Sequence, residues 1–524
     1  WGAPPQGRAA LRPATRDLRP LLGVVALFIA LRAALFVDPA LHLGWNSDAA
    51  IFGLMAKAIA AGRELPLFFW RQSYMGVMTS YLAAPLMRAM NGALALRIAS
   101  TLEVLAGIIF YWLALRVGPP PSAAIANVVA LWLAIGPAYL MQFSIAPIGG
   151  EQMFVLSAIM FWFAVRSGLA RNRDWFILGL LAGFGWWIHQ GIVFALAAAV
   201  IVVVLPTVRG IPIRRPPLAA IILGALLVID LILGAIVSLG YEAPAFFLFH
   251  PVMEPLVALL ILFVATLYGT PAACRILVGG GSARLSRALL FLFGALIAYS
   301  PVIIGTMRGL VPDTYGLSVP TMPLRGVVEH VVTFVSTDLW LFIGAAASIV
   351  VVPFFIIAML RRPRLDMPLI TIILCTIFYL FSQRAHPGTM RYIVSALPMV
   401  YAFAAAEMLR LRWGWIAIAA VTLALLVPRV EQIRDVATGR GEYYAGLPGD
   451  FDPRPVLRDI ESQHYTICYA DYWIAYKLQW VSDERVRFIP YRSLDRTRAT
   501  SQALHAAPGP KCFVDKNGHV TPRL

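Results

Sequence analysis

Apolar residues in this chain gather into blocks of about 17–25, separated by short polar connections, which is the length that crosses a hydrocarbon core of about 30 Å. The pattern predicts thirteen helical spans, at 20–37, 93–116, 122–142, 152–168, 174–188, 190–206, 217–239, 255–272, 286–306, 339–360, 367–383, 391–409 and 412–428. The stretch 174–206 around His189 is placed as two short spans, with one long tilted span as the alternative. The fold class is an α-helical polytopic membrane protein, with residues 20–430 as its transmembrane domain and 1–19 as a cytoplasmic N-terminal segment.

Two connections break the rhythm. The segment 38–92 carries Ile51, Phe52, Met55 and Ile59 at helical spacing from Asp48 to Ala61, then a second amphipathic run over 77–90 with Pro85 inside it. Such helices lie along a membrane interface, so this loop is read as two juxtamembrane helices. The tail 431–524 alternates helix and strand instead: helices near 455–463, 471–481 and 499–507, strands at 465–470, 486–491 and 511–515, and a turn at Lys516–Asn517–Gly518. That is the signature of a small α/β layer. Cys468 and Cys512 both fall on its strands, where a disulfide and a pair of buried thiols are equally open readings.

Composition agrees with the spans. Of 524 residues 60% are hydrophobic and 13% charged, against about 25% charged in soluble domains. The net charge of +16 raises nucleic acid as a partner, but the arginines sit between apolar blocks and no extended segment interleaves basic and aromatic residues as strand binding needs; nucleic acid is excluded. Seven connections, bearing Arg8 to Arg19, Arg116, Arg166 to Arg173, Arg209 to Arg215, Arg275 to Arg287, Arg361 to Arg364, and Arg410 with Arg412, fall on one side of the predicted spans. The positive-inside rule makes that side cytoplasmic. Asp48, Glu64, Glu151, Glu242, Glu254, Asp313, Glu329 and Asp338 then face outward, with the tail. The expected location is a bacterial inner membrane with a periplasmic C-terminal domain.

Four outward features carry candidate chemistry. Asp48 opens the first juxtamembrane helix, where a carboxylate can take a proton from an acceptor or simply favour a helix N-terminus. Glu151 follows Gly149–Gly150, which permit close backbone approach. His189 lies in Trp186–Trp187–Ile188–His189–Gln190, costly at membrane depth yet also at home in an aromatic belt. Arg308, Arg325, Arg384 and Arg391 run against the positive-inside bias; Arg384 and Arg391 flank one short turn, where two guanidinium forks can hold a phosphate or snorkel. No Cys/His spacing suggests zinc.

The stretch Trp45–Asn46–Ser47–Asp48–Ala49–Ala50–Ile51–Phe52, then Met55–Ala56 and Tyr74–Met75–Gly76, resembles the first outer loop of the GT-C superfamily, the polyprenyl-phosphate-sugar-dependent membrane glycosyltransferases of the protein O-mannosyltransferase and lipid A aminoarabinose transferase type. Gly149–Gly150–Glu151 and Arg391–Tyr392 extend the likeness. The resemblance implies a GT-C-like fold and a glycosyltransferase acting on the outer face. It implies Asp48 as base, Glu151, His189 and Tyr74 toward the substrate, and Arg391, Arg384 and Tyr392 toward the donor phosphate. Ala49 stands where many relatives have a second acid, which argues against a two-carboxylate or metal-dependent version; no metal and no cofactor is expected. The implied partners are a polyprenyl-phosphate-linked sugar donor, a glycan, lipid or protein acceptor, and membrane lipids. Rival readings are an O-antigen ligase or polymerase, which would place basic residues in a large late loop, and a lipid or solute transporter, for which Asp230 is the clearest mid-span acid.

Overall fold

The computed structural model describes residues 17–36, 47–70, 72, 75–117, 122–169, 171–192, 194–196, 282–308, 329, 331–334, 336, 339–361, 367–381, 393–437, 453–491, 498–515 and 517–522. The expected spans at 217–239 and 255–272, most of 190–206, and Asp230 lie outside them. Among the described residues three helices are long and apolar enough to cross a membrane, and a bent pair makes a fourth.

The first half builds a helical body. It contains α1 (Arg19–Phe36), α2 (Ser47–Ala60), α3 (Met78–Met87), α4 (Gly92–Val117), α5 (Ala123–Ile135), α6 (Ala138–Ile145), α7 (Gly150–Ser167) and α8 (Asn172–Ile188). The block expected as one span over 122–142 is two helices, α5 and α6, inclined at 68°. Gly136 takes φ +74° and Pro137 donates no backbone hydrogen bond, so the helix stops and turns. The break frees carbonyls inside an apolar body, and side chains answer them. Arg32 of α1 donates from Nη1 to the Ala134 carbonyl (2.8 Å) and from Nε to Ser144 Oγ (2.9 Å). At the far end of α6, Ser100 and Thr101 of α4 donate to the carbonyls of Phe143 and Ser144. Non-ideal backbone is tolerated at such depth only when satisfied in this way.

The later helices are α9 (Ser282–Met307), α10 (Leu339–Ile343), α11 (Ala345–Arg361), α12 (Met367–Phe381), α13 (Leu397–Met408) and α14 (Gly414–Ala437). The span expected at 339–360 is divided at Gly344, whose φ of +104° suits no other residue. α14 continues through Pro428 to Ala437, past the expected end at 428. Helices α8 and α9 meet through glycine: a Cβ added at Gly179 would lie 2.1 Å from the Phe291 carbonyl oxygen, and one at Gly183 2.2 Å from that of Ala295. Small residues four apart are how membrane helices bring backbones into contact. At the ends of α11 and α13, Arg361 and Arg410, from two of the arginine-bearing connections, both pair with the buried carboxylate of Glu407.

The tail folds as α15 (Pro453–Ser462), β1 (Ile467–Asp471), α16 (Tyr472–Val481), β2 (Arg487–Tyr491), α17 (Arg498–Ala506), β3 (Lys511–Val514) and β4 (Val520–Pro522). The sheet order is β2-β1-β3-β4, with β1 parallel to β2 and β3, and β4 antiparallel to β3. Strand β4 was not expected; it is three residues long and returns after the turn, where Gly518 takes φ +85°. Cys468 and Cys512 face each other across β1 and β3 with Cα atoms 4.4 Å apart and form a disulfide. The thiol-pair reading is thereby set aside.

Candidate active site

Asp48 lies in the first turn of α2, with Ser47 before it at the helix start. The sequence pattern suggested a helix half-exposed at an interface. Instead Ser47 to Ala56 and Ala58 are buried, because α3 covers one side and α16 of the tail another. The contacts run in the same order along α2 and α16. The Ser47 hydroxyl donates to the Tyr472 carbonyl, and the Tyr472 phenol donates to Asp48 Oδ1 at 2.5 Å. One to two turns on, the Trp480 indole lies on Gly53, where a Cβ would come within 2.8 Å of the ring. Further along, Lys57 Nζ stands 4.2 Å over the Trp480 ring and pairs with Asp483, while Arg63 reaches Glu484 at 3.5 Å. The two helices therefore lie side by side in the same direction, with their N-termini together at Asp48. The Lys57 ammonium, which hydrogen-bonds and attracts it, holds the Asp483 carboxyl below the usual carboxylate range.

Helix α3 joins this wall to a second polar cluster. Ser80 donates to the Phe52 carbonyl, one turn from Asp48, at 2.8 Å. Its neighbour Thr79 is within hydrogen-bond reach of Glu103 Oε2 (2.8 Å) and Glu151 Oε1 (3.2 Å), and its single proton serves one of them at a time. Glu151 also accepts from the backbone N–H groups of Ile148 (3.2 Å) and Gly149 (3.0 Å), so it ties the turn before α7 to that helix's first turn. The Gly149–Gly150 pair was expected to admit a substrate. Its close approaches are to protein: a Cβ on Gly149 would lie 2.4 Å from Met75 Sδ, and one on Gly150 2.6 Å from the Phe143 ring. Gly149 has φ +95°, so glycine is required there twice over.

His189 ends α8 as its C-cap, pairs through the backbone with Met75, and accepts from the Gly191 N–H at Nδ1 (3.0 Å). A helix ending at Ile188, with a three-residue 3₁₀ turn next, removes the reading of 174–206 as one continuous helix. Glu151 and His189 thus border the same Met75–Gly149 contact, and α3 connects them to the Asp48 end of α2. Tyr74, Arg384, Arg391, Tyr392 and Arg325 lie outside the described residues. Among the described residues no three His, Cys, Asp or Glu side chains gather as metal ligands would.

Sequence reading missed three members of this region. Glu103 is an acid within an apolar span, a pattern that marks function by default, and that signal was present. Thr79 and Tyr472 carry no local signal; only packing brings them here.

No known family profile matches the sequence, and no curated protein matches it. Solved structures do share its fold. The crystal structure of ArnT from Cupriavidus metallidurans bound to undecaprenyl phosphate is 13% identical, covers 95% of this chain and 93% of its own, and superposes with a TM-score of 0.52. The apo state of the same protein is 14% identical, over 94% and 93%, with a TM-score of 0.49. Nearly the full length of the chain thus follows one known architecture, and its fold is that of the ArnT structure.

Proposed function

We propose that this chain is a membrane glycosyltransferase that moves a sugar from a polyprenyl-phosphate donor to an acceptor at the outer face of a bacterial inner membrane. The observation that carries the reading is Asp48. It sits at a buried helix N-terminus, 5% exposed, in a loop joined to the C-terminal domain, in a fold shared with ArnT, a structure of which holds undecaprenyl phosphate. Contact between the first loop and the tail is also what a shared outer side requires.

Asp48 accepts the proton of an acceptor hydroxyl or amine. The acceptor's lone pair forms the new bond to the anomeric carbon as the bond from that carbon to the phosphate oxygen breaks, with inversion. Negative charge grows on the departing polyprenyl phosphate, and Arg391 and Arg384, with Tyr392 beside them, are the groups assigned to hold it. Glu151, His189 and Tyr74 are assigned to the sugar and acceptor. The thirteen-span topology, with the basic connections cytoplasmic and residues 431–524 periplasmic, belongs to the same proposal.

The test is Asp48→Asn in purified protein given an undecaprenyl-phosphoryl sugar labelled in the sugar. Removing a general base lowers turnover by about 10²–10⁴-fold. Turnover equal to wild type would take Asp48 out of the mechanism.

A further inference from the structure

We propose that Tyr472, contributed by the C-terminal domain, is a positioning residue for Asp48, so that the active site is complete only when that domain is docked on α2. This rests on the reading of Asp48 as the base.

The phenol donates to Asp48 Oδ1 at 2.5 Å, the short range of hydrogen bonds made to an ionised acceptor. Both groups are withdrawn from water, Asp48 at 5% and Tyr472 at 4% exposure. A carboxylate turns easily about its last torsion, whose preferences are broad. Tying Oδ1 to a fixed donor sets the plane of the group and thereby the direction in which it meets an acceptor proton. The donor is fixed because its own backbone is held: the Ser47 hydroxyl, next to Asp48, donates to the Tyr472 carbonyl. Its ring is held too, at 5.7 Å and edge-on to the buried Tyr476. Trp480 on Gly53 and the Lys57–Asp483 and Arg63–Glu484 pairs then fasten the rest of α16 along α2. A tyrosine retained for packing alone would not need its hydroxyl on the one carboxylate at the helix start. The phenol keeps its proton throughout; the proton lost by the acceptor goes to Asp48.

The experiment is a double-mutant cycle in the full-length chain: wild type, Tyr472→Phe, Asp48→Asn and both together, assayed with a labelled undecaprenyl-phosphoryl sugar. Tyr472→Phe keeps the ring and removes one donor. Losing a hydrogen bond to a charged group that fixes geometry lowers kcat about 10–100-fold, with KM for the donor unchanged. In the Asp48→Asn background the same change costs nothing further. Wild-type kcat in Tyr472→Phe beside a slowed Asp48→Asn overturns the positioning role and leaves the base intact. A Tyr472→Phe penalty of equal size in both backgrounds overturns it as well, since the phenol then acts independently of Asp48. Full turnover in Asp48→Asn removes the base and this proposal together. As a guard against a folding defect, Tyr472→Phe is expected to keep the wild-type resistance of residues 453–522 to proteolysis; a kcat loss accompanied by faster proteolysis of that segment overturns the positioning role.

Discussion

Lys57 and Asp483 show how a single pair can report on the docking of the tail. The Asp483 side chain is 80% exposed and that of Lys57 23%, so the pair is screened by water and salt and contributes weakly at neutral pH. Its sign with pH is nonetheless defined. The carboxyl titrates lower in the folded chain than in an unfolded one, where an aspartate has a pKa of about 3.9. The stabilisation is therefore complete above that unfolded value and is lost as pH falls through the lower folded one. Hydrogen exchange of α16 read against pH is expected to show protection that is flat from neutral down to the carboxylate range and then declines. Asp483→Asn should lower the plateau slightly and remove this component of the decline; an unchanged profile would assign the decline to other carboxylates. At the same scale Asp48 was legible in sequence, because an acid opening a helix after the first span is a local pattern. Its partner was not, because Tyr472 lies 424 positions away. Glu103 sits between these cases: its Oε1 has no hydrogen-bond partner among the described residues, and an acid inside an apolar helix is visible without a structure.

Among the helices, α8 and α9 depend on glycine where most contacts depend on bulk. With Gly179 and Gly183 against the backbone of α9, and a Cβ on Gly294 only 2.3 Å from the Phe176 carbonyl oxygen, the helices touch main chain to main chain. Gly183→Leu must separate them. The expected cost is at least about 1–3 kcal/mol of overpacking, read as a lower Tm in detergent, whereas leucine at the open Gly23 position should leave Tm unchanged. A Tm for Gly183→Leu equal to wild type would mean that α8 and α9 do not meet in this way. Hydrophobic blocks located both helices to within a few residues, since block length is a one-dimensional property. The division of 122–142 and of 339–360 was not foreseen, although Gly136–Pro137 and Gly344 were in view. A glycine or proline in an apolar block can kink, break or simply sit in a helix. Which of these happens depends on whether neighbours such as Arg32 satisfy the freed carbonyls.

For the whole molecule, the central relation is between the helical body and its tail. The tail has its own core, with Val456, Leu457, Ile460, Leu478, Phe488 and Val514 packed around the Cys468–Cys512 bridge, which closes a loop between cysteines 44 positions apart. A domain this small gains from such a staple. Cys512→Ser is expected to destabilise the tail by about 2–4 kcal/mol, measured as faster proteolysis of residues 453–522 with the helical body intact. Because α16 also covers Asp48, the same variant should lose turnover in step with tail unfolding. Retained activity after the tail is cleaved would show that the body works alone. The sequence by itself determined the helical membrane class, the alternating tail, the α2, α3 and α16 boundaries to within a few residues, and Asp48 as the carboxylate to examine. Each is written in local period, block length or charge bias. Tertiary structure alone decided that α2 is buried on nearly every side, that Glu151 meets Thr79 beside Glu103, and that the tail places a phenol on Asp48. Those outcomes depend on the fit between surfaces far apart in the chain, and no local pattern encodes which surface will meet which.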